Sequence, residues 1–163
     1  MTDSEAPAVT IRSAEAADFP QLGRLGGELV RYHYALDPKR FMNIDDVDVG
    51  YGAFLEREAR NKKAVVLCAA RGASILGYAY GTLEGRDWNA LLDPHGALHD
   101  IFVRSSARRE GIASLLVLEM CERLKKLGAP RVLLHTATQN HKGQALFAKL
   151  GFRATMVEMT REA

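Results

Sequence analysis

Cysteine is scarce in this 163-residue chain. Two residues cannot staple a small disulfide scaffold, and their spacing forms no metal-binding pattern. Cys68 and Cys121 each sit inside an apolar run and read as small buried hydrophobes. Long apolar runs are lacking too. The longest, AVVLCAA at 64–70, is far below the roughly 20 residues that cross a bilayer. The opening MTDSEAPAV has neither the basic nor the apolar region of a signal peptide. The cytoplasm is therefore the expected compartment, with no membrane partner. Aromatics make up 7% of residues and interleave with no basic stripe, and the pI of about 8.6 is below that of typical basic domains, so no nucleic acid is expected as partner. Neither a Gly-Lys-Ser/Thr phosphate loop nor a Gly-x-Gly-x-x-Gly fingerprint occurs.

What is present is ordinary for a globular domain: 47% hydrophobic and 26% charged residues in one domain's length. We expect a single domain over 1–163, with 1–8 a flexible tail. The net charge of +2 hides an asymmetry. Residues 1–50 hold nine acids and five bases, and residues 51–163 hold eleven acids and seventeen bases. The basic part fits an anionic ligand or scattered solvated charge.

Periodicity places the elements. VTIRSA at 9–14 alternates like a strand. A helix follows, with Asp18 and Gln21 in capping-box spacing. Gly26-Gly27 weakens that helix or marks a close backbone approach. A short helix fits 48–63. AVVLCAA, the turn RGAS and ILGYAYGTLEG read as a β-hairpin. RDWNALLDPHG is a loop, and ALHDIFVRS at 97–105 a strand. The clearest helix is 112–127: Ala113, Leu116, Val117, Met120, Cys121, Leu124 and Leu127 form one stripe, ended by Gly128. RVLLHTATQ, KGQALFAKLG and TMVEMTRE predict a strand, a helix and a last strand. Strands alternating with helices around a hairpin point to a mixed α/β or α+β sheet.

One stretch has a chemical reading. In RSSARREGIA at 104–113, arginines and a glycine open directly into the apolar helix. A helix N-terminus offers unpaired N–H groups and the positive end of a dipole. Gly111 and Ala113 keep the approach open, and Arg108 and Arg109 attract an anion. Alone, the stretch fits a phosphate cradle or a surface turn with solvated arginines.

DIFVRSSARREGIA and the later NHKGQALFAKLGF, in this order, resemble the GNAT superfamily of acyl-CoA-dependent N-acyltransferases. Asn140, Leu146, Gly151 and Phe152 fall in register with the family's second motif, and IRSAEAADFPQL resembles its first strand and helix. The resemblance implies a twisted, mostly antiparallel mixed sheet flanked by helices, splayed between the fourth and fifth strands. It implies acetyl-CoA as co-substrate, with no metal. The backbone of Ile101, Phe102 and Val103 would hold pantetheine. Arg108 would attract the pyrophosphate, and the amides of Arg109, Glu110, Gly111, Ile112, Ala113 and Ser114 would hold it. Asn140 would touch the cofactor from the other side. The partner is a small-molecule or peptide amine, and a homodimer is one assembly the resemblance allows.

Acylating an amine requires removing a proton, since a lysine-like amine, with a pKa of about 10.4, is mostly charged at neutral pH. Asp100, on the fourth strand, is the expected acid-base residue; a solvated bulge residue is the alternative reading. A regular strand would turn His99 to the opposite face, where it reads as a proton relay or a buried, hydrogen-bonded structural histidine. Phe147 stands where the family carries a tyrosine that protonates the leaving thiolate. Tyr32, His33 and Tyr34 are stand-ins, acceptor-pocket wall or core. Asp45, Asp46 and Asp48 fit a cationic acceptor or a solvated loop, and Trp88 is a possible pocket residue. A catalytically silent acyl-CoA-binding module is the competing function.

Overall fold

The structure, a computed structural model, describes residues 6–163. Of the tail expected at 1–8, residues 1–5 lie outside the described residues. Residues 6–8 have no regular structure, and Arg71 Nε donates to the Pro7 carbonyl (3.1 Å).

The chain runs β1 (Thr10–Ser13), α1 (Phe19–Leu36), α2 (Val47–Glu58), β2 (Ala64–Arg71), β3 (Ser74–Glu84), β4 (His95–Val103), α3 (Ile112–Lys126), β5 (Val132–Leu134) and α4 (His141–Lys149). The sheet order is β1-β2-β3-β4-β5. The first three pairings are antiparallel and β4–β5 is parallel, giving a mixed, mostly antiparallel sheet.

Alternation along β2 shows how the sheet is buried. Leu67 and Ala69 enter the core beneath α3, with Leu116, Val117, Met120 and Leu124. Val66, Cys68 and Ala70 enter the opposite core, with Phe19, Leu22 and Leu25 of α1 and Leu55 of α2. A period of two sends successive side chains to opposite faces, so a near-continuous apolar run serves two cores. The hairpin turns at Gly72, whose φ of 59° lies in the left-handed region.

Three expectations need correction. Asp18 does not cap α1 with Gln21. Its carboxylate takes two bonds from Arg12 (2.6 and 3.1 Å) and one from the Glu15 amide, and the Arg12 bond chiefly holds it below the usual carboxylate range. Gln21 instead bonds across to Ala73 and Ile75 on the hairpin. Cys68 is buried beside Asp18, and burial pushes its thiol up to about 11, whereas Cys121 is only half-buried. The final strand is not formed: residues 152–163 carry no regular structure, and Met156, Val157 and Met159 lie exposed. Strand propensity is rewarded only by burial against neighbours. The preceding strand, β5, is just three residues long.

Candidate active site

β4 and β5 pair only at Gly96, Ala97 and Leu98. Beyond Leu98, β4 continues to Val103 without β5 beside it. Backbone bonding alternates along an antiparallel strand: Phe102 bonds to Tyr78 of β3, while Ile101 and Val103, opposite Ala79 and Gly77, turn their backbone groups to the gap. The gap opens towards the start of α3.

There the chain makes two left-handed residues, Arg109 (φ 66°) and Gly111 (φ 75°). Gly111 is the N-cap and has no side chain with which to cap. The first-turn N–H groups of Ile112, Ala113 and Ser114 consequently point outward without a side-chain acceptor. Val103, Ala107, Arg108, Arg109, Gly111, Ile112, Ala113, Ser114 and Leu146 line a cavity of about 210 Å³. Nothing lies within 4 Å of where a Gly111 β-carbon would sit. Arg108 Nε donates to the Val103 carbonyl (3.1 Å), and its guanidinium lies over the Phe102 ring. This ties the turn to the end of β4. Glu110 contributes no side chain to the cavity and faces Arg71 (3.4 Å). A non-glycine left-handed residue costs roughly 1–2 kcal/mol. Nothing in the sequence singles out Arg109 for that conformation.

Asp100 lies on the α1/α2 face and is only 8% exposed. Tyr51 of α2 and Tyr78 of β3 (3.1 Å) both donate to its Oδ2. No buried side-chain polar atom among the described residues lacks a partner, so Oδ1, which receives no such bond, is within reach of solvent. Burial raises the Asp100 pKa, and the two tyrosine donors only partly offset it. Burial also raises both phenols, keeping them protonated as donors. Asp100 is thus not a solvated bulge residue.

The bulge belongs to its neighbour. Tyr80 pairs with Asp100, but Gly81 pairs with Leu98, leaving His99 as the extra residue of β4. The expectation that His99 faces away from Asp100 fails for this reason. Its ring stacks on Tyr80 (5.2 Å), and Nε2 lies 2.7 Å from Thr82 Oγ1. Tyr51 was missed by sequence reasoning, as no motif links it to a strand residue 49 positions away.

Asn140 is the N-cap of α4. Its Oδ1 accepts from the Gly143 amide at the start of α4 (3.1 Å) and from Tyr32 of α1 (3.3 Å). It does not line the α3 cavity. Asp48 pairs with Arg31 (2.9 Å), and Trp88 is highly exposed on the β3–β4 loop. Phe147 is buried in the α3-side core, edge-on to Phe152 (6.0 Å). A hydroxyl there enters apolar packing. Phe147→Tyr is expected to lower stability by about 1–3 kcal/mol without raising kcat. Urea unfolding and steady-state rates check this; unchanged stability with faster turnover would refute it.

A model described as the acetyltransferase (GNAT) family matches residues 28–152. Solved structures share the fold. One described as a transcriptional regulator from Bacillus halodurans C-125 has 24% identity, covering 96% of this chain and 100% of that one, with TM-score 0.74. The aminoglycoside N-acetyltransferase AAC(6')-Iy in complex with CoA has 19% identity, covering 100% and 99%, with TM-score 0.75. A predicted acetyltransferase with acetyl-CoA from Clostridium acetobutylicum has 18% identity, covering 94% and 96%, with TM-score 0.68. With the family match spanning well over half its length, the chain belongs to the GNAT family of acetyltransferases.

Proposed function

We propose that residues 1–163 form one N-acetyltransferase domain that moves an acetyl group from acetyl-CoA to a primary amine of a small molecule or peptide, by direct attack in a ternary complex. The observation that carries this is the gap between β4 and β5, with an uncapped helix N-terminus at one end and buried Asp100 beside it. Acetyl-CoA supplies the activated thioester. The N–H groups from Arg109 to Ser114, with Arg108, suit its pyrophosphate. The gap-facing backbone of Ile101 and the Val103 amide suit an amide-bearing arm, with Phe102 holding the strand to β3, and Asn140 approaches from the α4 side. The family match, and neighbours crystallised with CoA or acetyl-CoA, support this cofactor. An aminoglycoside N-acetyltransferase among them supports an amine acceptor.

Asp100 assists deprotonation of the acceptor. A raised carboxyl pKa makes a stronger base than an ordinary aspartate. Asparagine keeps an oxygen for the two tyrosine donors but takes no proton. Asp100→Asn is expected to lower kcat/KM for the amine by roughly 10²-fold at neutral pH. The loss should shrink above pH 9, where free amine accumulates. A pH-independent loss would make Asp100 structural.

Phe147 favours a second reading, a module that binds acyl-CoA without turnover, because it offers the thiolate no proton. Release of free thiol from acetyl-CoA across an amine panel separates the two. Amine-dependent release supports the enzyme, and tight binding with no release supports the module.

A further inference from the structure

The bulge in β4 places a second titratable group beside Asp100. His99 differs from Asp100 in access: its side chain is 41% exposed, whereas Asp100 lies beneath two tyrosines. The imidazole is therefore open to solvent where the carboxylate is covered.

The hydrogen bonds assign the ring's tautomer. Thr82 has one hydroxyl proton, and its Oγ1 donates to Glu84 Oε1 (2.5 Å). The same Oγ1 lies 2.7 Å from His99 Nε2, so it accepts there and Nε2 carries the ring proton. A neutral imidazole has only one N–H, which leaves the lone pair on Nδ1. No side chain or backbone group among the described residues bonds Nδ1. Tyr80 stacks on the ring and is held by Glu58 of α2 (2.7 Å), which limits ring rotation. The charged and titratable groups facing His99 are Glu84 and Tyr80 of β3, Asp100 of β4 and Glu58 of α2 through Tyr80. His33 of α1 acts on the same carboxylate, Asp100.

We propose that His99 is a further catalytic residue, whose Nδ1 takes the proton from the acceptor amine, with Thr82 and Glu84 as positioning residues and Asp100 acting through it. This rests on the acetyltransferase reading above. In the step, the amine nitrogen forms a bond to the acetyl carbon and the carbon–sulfur bond breaks. Sulfur leaves with the electron pair and takes a proton from water. The nitrogen's proton passes to Nδ1, and Asp100 and Glu84 stabilise the imidazolium before it returns the proton to solvent.

The test compares wild type, His99→Gln, Thr82→Val, Thr82→Ser, Asp100→Asn and the His99→Gln/Asp100→Asn double variant. It follows amine-dependent thiol release from pH 6 to 10. Glutamine keeps a donor towards Thr82 but has no base. His99→Gln is expected to lose about 10²–10³ in kcat/KM at neutral pH, recover towards pH 10, and keep its acetyl-CoA affinity. The double variant should be no worse than His99→Gln alone. Thr82→Val should lose roughly tenfold and shift the ring nitrogen signals away from the Nε2–H tautomer, and Thr82→Ser should restore both. An active wild type with an indifferent His99→Gln, or single losses that multiply in the double variant, overturns the proposal alone. A wild type that binds acetyl-CoA and acetylates no amine overturns it together with the functional reading.

Discussion

Gly111→Glu is expected to abolish acetyl-CoA binding, lowering affinity at least about a hundredfold, or about 3 kcal/mol. Gly111 occupies the N-cap of α3 at φ 75°, beside N–H groups that no side chain caps. A glutamate there sets a carboxylate against those donors and repels the pyrophosphate. The backbone adds about 1–2 kcal/mol of strain, because a β-carbon is disfavoured in the left-handed region. No steric clash adds to this, since nothing in the protein lies within 4 Å of that β-carbon. The fold should therefore survive. Gly111→Ala carries the same strain without the charge and should bind only several-fold more weakly. Calorimetric titration of both variants with acetyl-CoA decides the matter. Wild-type affinity in Gly111→Glu would remove the cradle from the binding site.

Gly23→Ala should produce the largest loss of stability, about 2–3 kcal/mol. In an isolated helix this change is favourable by roughly 1 kcal/mol. Here the added β-carbon would lie 2.3 Å from the Asp48 carbonyl oxygen and 3.0 Å from the Gly52 α-carbon. Both are backbone atoms of α2 and cannot rotate aside, so the helices must separate. Overpacking costs about 1–3 kcal/mol and occasionally more. A backbone contact this close belongs at the top of that range, about 3–4 kcal/mol, and the propensity gain of about 1 kcal/mol leaves about 2–3 kcal/mol. Gly50→Ala supplies the contrast. It lies in α2 with open space around its β-carbon and should gain up to about 1 kcal/mol. Urea unfolding compares the two. Activity should follow Gly23→Ala as well, because α2 carries Tyr51, which donates to Asp100. An equally stable Gly23→Ala would refute the close crossing of α1 and α2.

The same glycines mark where reading the sequence stops. Gly26-Gly27 left two meanings open, a weak helix or a close approach. Tyr51 and Asp48 of α2, lying where β-carbons on these glycines would sit, settle it as a close approach. α3 was legible because its apolar stripe, basic last turn and Gly128 are local signals for one element, and Ile112–Lys126 is where they place it. The turn proposed to hold the pyrophosphate was legible as a turn for the same reason: a helix start, a glycine and arginines are adjacent in the chain. TMVEMTRE shows the limit of that logic. Its alternation is a strand pattern, but a strand also needs a neighbour to pair with, and local sequence carries no information about the neighbour.

By itself, the sequence determined the hairpin, the central helix, the charged turn before it and the strand bearing Asp100. Each follows from periodicity or backbone preference over a few residues. Only the tertiary structure decided what Asp100 is: a buried carboxylate under Tyr51 and Tyr78, brought together from α2, β3 and β4. It also decided that His99 shares its face. One unpaired residue in β4 reverses the alternation that a regular strand imposes. That reversal arises from the register of β4 against β3, a property of two strands that neither strand's sequence contains.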